Sequence, residues 1–205
     1  MIEQEMILTV APTIEPVSLT ELQAAIYGYN SDDNDLLTIY IQTARELFEL
    51  YTGLAIIEQT WQLFLPAFPN HIRLPKQPHR SISSITYYDT AGAQQTLSTD
   101  VYRISPTGIL TEKIGQYYPA TEDSRVDAVT ITYTAGIYAS DGASPEAVDT
   151  STASRMVEKY ALAKQAIKYM AAHYYENRAI VSPVALSECP MTFQAHVNLC
   201  RVDWA

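Results

Sequence analysis

The chain is poor in the residues that carry most enzyme chemistry. Of 205 residues only four are histidine, two are cysteine and seven are glycine. The glycines Gly28, Gly53, Gly92, Gly108, Gly115, Gly136 and Gly142 lie too far apart for a phosphate-cradling loop, so nucleotide binding has no motif behind it. No GxSxG occurs, and neither Cys189 nor Cys200 has a nearby histidine that would mark it as a nucleophile. The cysteines lack CxxC spacing and are expected to remain thiols in a reducing compartment. His173 and Glu176 stand one helical turn apart, yet His71, His79 and His196 sit in no ligand motif that could complete a metal site. No catalytic, cofactor or metal residue is therefore assigned. Basic residues are also few. Thirteen face 23 acidic ones, for a net charge of -10, which argues against a module that grips nucleic acid by neutralising phosphates. No apolar run approaches the roughly 18 residues of a membrane span, and MIEQEMILTV has no positive flank of a signal peptide, so a cytosolic origin without membrane contact is expected.

The remaining composition, 47% hydrophobic, is enough for a real core. PVSLTELQAAIYG contains a capping box of Ser18 and Glu21, with Val17 and Leu22 placed for a hydrophobic staple and Gly28 as a left-handed stop, predicting a helix over 18–27. Asn30 to Asn34 resembles a calcium loop, but the sixth position is Asp35 rather than glycine and the twelfth is Ile41 rather than glutamate, so the acids read as the start of a helix. After them Leu36, Leu37, Tyr40, Ile41, Ala44, Leu47, Phe48 and Tyr51 recur at three- and four-residue spacing up to Gly53. From this stripe Leu36, Tyr40, Ala44, Leu47 and Tyr51 are predicted to pack on Met156, Tyr160, Ala163, Ile167 and Met170 of a later helix.

Between these helices the period shortens. WQLFL, IRL, SISSITYYD, VYRIS, GIL and VTITYTAG are short β-branched and aromatic runs bounded by turn residues, and the alternation in Val129–Thr134 favours an antiparallel sheet. Asp89-Thr90-Ala91-Gly92 reads as a hairpin. The predicted fold class is α+β: residues 1–55 an N-terminal helical part, 56–136 an inserted antiparallel β subdomain, 137–150 a mobile loop, 151–178 a long helix completing the helical core, and 179–205 an extended C-terminal arm.

Fifteen tyrosines, several in adjacent pairs, exceed what one core can absorb. Neighbours on a helix point about 100° apart, so if Tyr174 continues the seam, Tyr175 points elsewhere. Tyrosine is common at protein interfaces. The arm offers only Val197, Leu199, Val202 and Trp204 as apolar anchors, against an ordering entropy of about 1–2 kcal/mol per residue. The expectation is that it finds its partner on another chain, with docking on its own domain as the alternative, and that deleting 182–205 leaves the domains folded.

PVSLTEL, ELYTGLAIIEQTWQL, IRLPKQPHRSISSITYYDTAG, VYRIS, VTITYTAG and HYYENRA, in this order, resemble bacteriophage head-tail connector (portal adaptor) proteins, in the branch with a β insert between the helices. The resemblance implies a non-enzymatic subunit of a homo-oligomeric ring, generally dodecameric, beneath the portal protein of a packaged head. A downstream neck, stopper or tail protein is the second implied partner, and DNA passes through the channel without sequence-specific binding. It implies a place in the virion after assembly in the bacterial cytoplasm. Tyr174, Tyr175, Arg178, Val197, Leu199, Val202 and Trp204 are the expected subunit or portal contacts. Two other readings stay open: a β-rich module binding carbohydrate or a host surface through exposed tyrosines and Trp61, and a hydrolase using His173 and Glu176, which would require a concave pocket and a perturbed carboxylate.

Overall fold

The computed structural model describes residues 5–138, 150–177 and 191–202, and the side chains of all of these except 150–158. The architecture is α+β, with four helices and eight strands in two antiparallel sheets among the described residues.

Helix α1 spans Leu19–Gln23 and starts at the capping box: the Glu21 amide donates to Ser18 Oγ at 3.2 Å and the Ser18 amide donates to the Glu21 carboxylate at 2.9 Å. Val17 and Leu22 are both buried beside it. The helix ends earlier than residue 27. The amides of Ala25 and Ile26 donate three residues back, to Leu22 and Gln23, so the four-residue ladder lapses while Ile26 stays in the core.

Helix α2 spans Asn34–Thr52, follows a 3-10 turn at Ser31–Asp33 capped by Asn30, and stops at Gly53. Gly53 has φ 72° and donates to the Glu49 carbonyl, the left-handed stop that glycine accepts without strain. The buried seam of α2 is Leu37, Ile41, Ala44 and Phe48. This corrects the stripe predicted above. Leu36, Tyr40 and Leu47 are only half-buried, and Tyr51 is 54% exposed. Two overlapping stripes of the same spacing, which share Ala44, run side by side on this helix, where successive residues point about 100° apart. Only the position of the partner helix selects between them.

That partner is α3, Thr150–Glu176, which contributes Ala163, Ala166, Ile167, Met170, Ala171 and Tyr175 to the shared core. Tyr160 is half-buried against Tyr138, ring centroids 3.8 Å apart, while the side chain of Met156 lies outside the described residues. Helix α4, Met191–Cys200, lies within the span expected to be an extended arm and adds Phe193, Val197 and Cys200 to the same core.

The large sheet has the order β1-β2-β8-β4-β5, formed by Glu5–Val10 (β1), Gln59–Leu65 (β2), Val129–Ala135 (β8), His79–Tyr88 (β4) and Gln94–Thr96 (β5). The small one, β3-β7-β6, comprises His71–Arg73 (β3), Ile109–Glu112 (β7) and Tyr102–Ile104 (β6). In β8 Val129, Ile131, Tyr133 and Ala135 are buried and the threonines between them are not, the alternation of a one-sided sheet. Leu63, Ile85 and Ile131 of the large sheet share a second core with Ile72 and Leu110 of the small one. Asp89 closes the β4–β5 hairpin by accepting from the amides of Ala91 and Ala93. Strand β1 was assigned above to the helical part. It is an edge strand whose side chains are nearly all exposed, so it lacks the burial pattern by which strands are recognised.

The helical and β halves meet at Leu54–Ile57 and Gly136–Tyr138. Gly136 donates to the Pro78 carbonyl, and Glu58 donates to that of Tyr138. A side chain at Gly136, φ 153°, would place its Cβ 2.5 Å from the Glu58 backbone. Only glycine lets the two segments pass.

Candidate assembly surfaces

A buried polar cluster sits where α2 meets β2. Arg45 and Glu49 are one turn apart on α2, both 4% exposed, with Arg45 Nη1 donating to Glu49 at 3.1 Å. Arg45 Nε also donates to Glu15 at 2.8 Å. Glu49 accepts from the Ile56 amide at 2.7 Å and from Gln59 Nε2 at 2.9 and 3.0 Å. Lys76 Nζ donates to the Glu49 carbonyl at 3.1 Å and lies 5.4 Å from the Trp61 ring centroid. Burial pushes the Glu49 carboxyl up, partly offset by Arg45, the Ile56 amide, Gln59 and Lys76; burial pulls the Lys76 ammonium down. Both Glu49 oxygens are engaged by backbone or side-chain donors. This arrangement ties helix to sheet and leaves no carboxylate oxygen for a reacting proton.

Sequence reasoning missed this cluster. Its trace is Arg45 and Glu49 at i,i+4 spacing among the apolar positions of α2, where two charges on a core-facing side need each other.

The expected contact residues separate into two groups. Tyr175 is buried, donating from Oη to Asp33 Oδ2 at 2.8 Å and accepting from the Asn30 amide at 3.3 Å. It is Tyr174 that is half-buried, 5.7 Å from Tyr40. Both were expected as subunit or portal contacts; Tyr175 instead closes the chain's own core, and Tyr174 packs against that core. Val197 is buried in that core and Val202 is half-buried against it, with the Val202 amide donating to the Thr52 carbonyl at 2.9 Å. Lys159 Nζ donates to the Cys200 carbonyl. Residues 191–202 thus dock on their own subunit, because Phe193, Val197 and Cys200 fall on one face of a helix whose formation satisfies the backbone. Among the described residues, Leu199 alone of the expected tail contacts turns outward, 67% exposed. Arg178 and Trp204 lie outside the described residues.

Further exposed apolar surface lies on β1 and α2. Ile7, Leu8 and Val10 line the edge strand β1, and Ile39, Leu50 and Tyr51 stand on the outer side of α2. Leu8 and Leu50 rim a groove of about 530 Å³ whose floor includes Glu15, Arg45, Glu49 and Trp61. Trp61 is half-buried, with Nε1 enclosed, and does not form the open platform that a sugar-binding reading requires. A second groove, about 730 Å³, runs over the small sheet and is lined by His71, Arg73, Arg103, Ser105, Thr107 and Thr111, among others. His173 is held on its own helix, hydrogen-bonding with Asn177 at 3.1 Å, and Glu176 is exposed. Among the described residues no group of three or more His, Cys, Asp or Glu side chains is placed to hold a metal ion, and no helix is long and apolar enough to cross a membrane.

The chain matches no family model and no curated protein. Its fold matches solved chains from gene transfer agent particles. A chain of the virion of a native gene transfer agent particle superposes with TM-score 0.69 at 21% identity, covering 98% of this chain and 96% of that one. One from the neck of an empty particle, computed with C6 symmetry, gives 0.69 at 21% identity over 99% of this chain and 97% of the other. One from the neck of a native particle, computed with C12 symmetry, gives 0.66 at 21% identity over 99% and 97%.

Proposed function

We propose that this chain is a structural neck subunit of a phage-like particle, a connector that forms a ring below the portal and joins the DNA-filled head to the neck or tail. The observation that carries this reading is the end-to-end correspondence with chains of a gene transfer agent neck, 99% of this chain against 97% of that one, with no domain left over on either side. The fold supports it from below. Every buried charge described above is engaged in joining helix to sheet, and the exposed apolar residues are spread over β1, all the long helices and the loops, as suits a subunit with several contact surfaces. A ring subunit needs two different surfaces, one for each neighbour. The rotational symmetry of the matched necks, computed as C6 and as C12, supports a ring, and twelve copies is the number proposed for it.

Native mass spectrometry of the purified protein, alone and mixed with portal rings, tests the reading. A closed oligomer, twelvefold on the portal, is the expected result. A monomer under both conditions would exclude it.

A further inference from the structure

One face of the small sheet carries two arginines, on a chain whose net charge is -10. In its register Thr111 of β7 pairs with both His71 of β3 and Arg103 of β6, while Arg73 pairs with Ile109. Alternation along the strands therefore puts His71, Arg73 and Arg103 on one face, since Ile72 and Leu110 between them are buried on the other. Arg103 is exposed, and its Nε donates to Thr111 Oγ1 at 3.1 Å, which lays the guanidinium across the sheet. Its two terminal nitrogens take no partner among the described residues. Arg45, Arg80, Arg125 and Lys164 are each ion-paired to a carboxylate of the chain itself; Arg103 forms no such pair among the described residues. Ile104, Pro106 and Ile109 give the same groove an apolar lining, with the hydroxyls of Ser105, Thr107 and Thr111 beside the cations.

We propose that this face is one half of the contact between neighbouring copies of the chain, and that it receives a carboxylate-bearing surface of the next copy. The inference rests on the ring reading above. Two copies that each carry excess negative charge repel, so locally positive ground on one side of a heterologous contact favours it, and the 23 acidic residues of the chain supply carboxylates to meet it. Duplex DNA is the weaker candidate. Two arginines on an acidic chain neutralise few phosphates and leave little affinity near physiological salt.

The test compares wild-type protein with Arg103→Glu for ring formation at matched concentration, with thermal melting as the check on folding. The expected result is an unchanged melt and at least a tenfold rise in the concentration needed for assembly. A second variant, Arg103→Lys, keeps the charge and adds an amine for zero-length carbodiimide coupling. An amide joining position 103 to a carboxylate of another copy, identified by mass spectrometry, is expected, and this arm decides the matter if Arg103→Glu does not fold. Normal assembly of folded Arg103→Glu, or coupling confined to one chain within assembled rings, would overturn the inference and leave the ring intact. So would fluorescent duplex DNA that binds wild-type rings and is lost from Arg103→Glu rings of normal size. A wild-type chain that stays monomeric with and without portal would instead remove the ring reading itself.

Discussion

Phe193 of α4 meets Phe48 of α2 edge to face, ring centroids 6.1 Å apart and planes at 78°. Both rings are fully buried, so the C-terminal helix is part of the subunit's core. Phe193→Ala should lower stability by about 3–5 kcal/mol, as a truncated core aromatic does. Urea unfolding would measure it, and hydrogen exchange should show α4 losing protection before α2. Deleting 182–205 should likewise destabilise the helical half, contrary to the expectation for a free arm, because Phe48 and Thr52 would lose their cover.

Of the apolar residues on α2, Leu37 is fully buried and Leu47 only half so. Leu37→Ala is expected to cost about 2–5 kcal/mol and Leu47→Ala clearly less, since a partly exposed side chain loses less buried area and leaves no closed cavity. Equal losses in denaturant melts would mean that the helix is rotated from the position described.

Removing Glu49 leaves Arg45 buried with Glu15 and Glu46 as its remaining acidic partners and takes the acceptor from the Ile56 amide. Glu49→Ala should destabilise by about 3–5 kcal/mol, the range for breaking one side of a buried ion pair. Glu49→Gln retains an acceptor for Ile56 and should recover part of the loss. Melting both variants beside wild type distinguishes a hydrogen-bonded junction from simple packing, for which the glutamine form would match wild type.

Hydrogen bonding from Lys164 and from the Ser18 amide holds the Glu21 carboxyl below its ordinary value of 4.5. A carboxyl whose folded pKa is depressed adds stability above its unfolded pKa and loses it as pH falls through the folded value. Glu21 is a surface group, so Glu21→Gln should cost about 0.5–1 kcal/mol near neutrality, the scale of a cap interaction. The gap to wild type should close as pH falls below about 4.5. A gap independent of pH would assign the effect to shape rather than charge.

Gly136→Ala places a methyl group against the Glu58 backbone, in a backbone conformation that side chains rarely adopt. A loss of about 3 kcal/mol or more is expected, from strain at a special φ together with overpacking. Thermal melting checks it. A neutral outcome would show that the junction can open.

What the sequence determined by itself was local. The Ser18–Glu21 capping box, the stop at Gly53, the Asp89 hairpin and the alternation of β8 all depend on residues within a few positions of one another, where backbone geometry and side-chain reach leave few choices. The α+β class followed from the change of period between these elements. Three things required the tertiary structure. The choice between two equally spaced stripes on α2 depends on where α3 lies. Strand β1 exists because β2 offers an edge: its own side chains bury little. And the tail, whose Val197, Leu199, Val202 and Trp204 look too sparse to fold alone, is ordered through Phe193, Val197 and Cys200 against a surface that α2 and α3 present. The entropy of fixing α4 is offset by burial against residues more than a hundred positions away, such as Phe48, and no local pattern records a surface that the rest of the chain must first build.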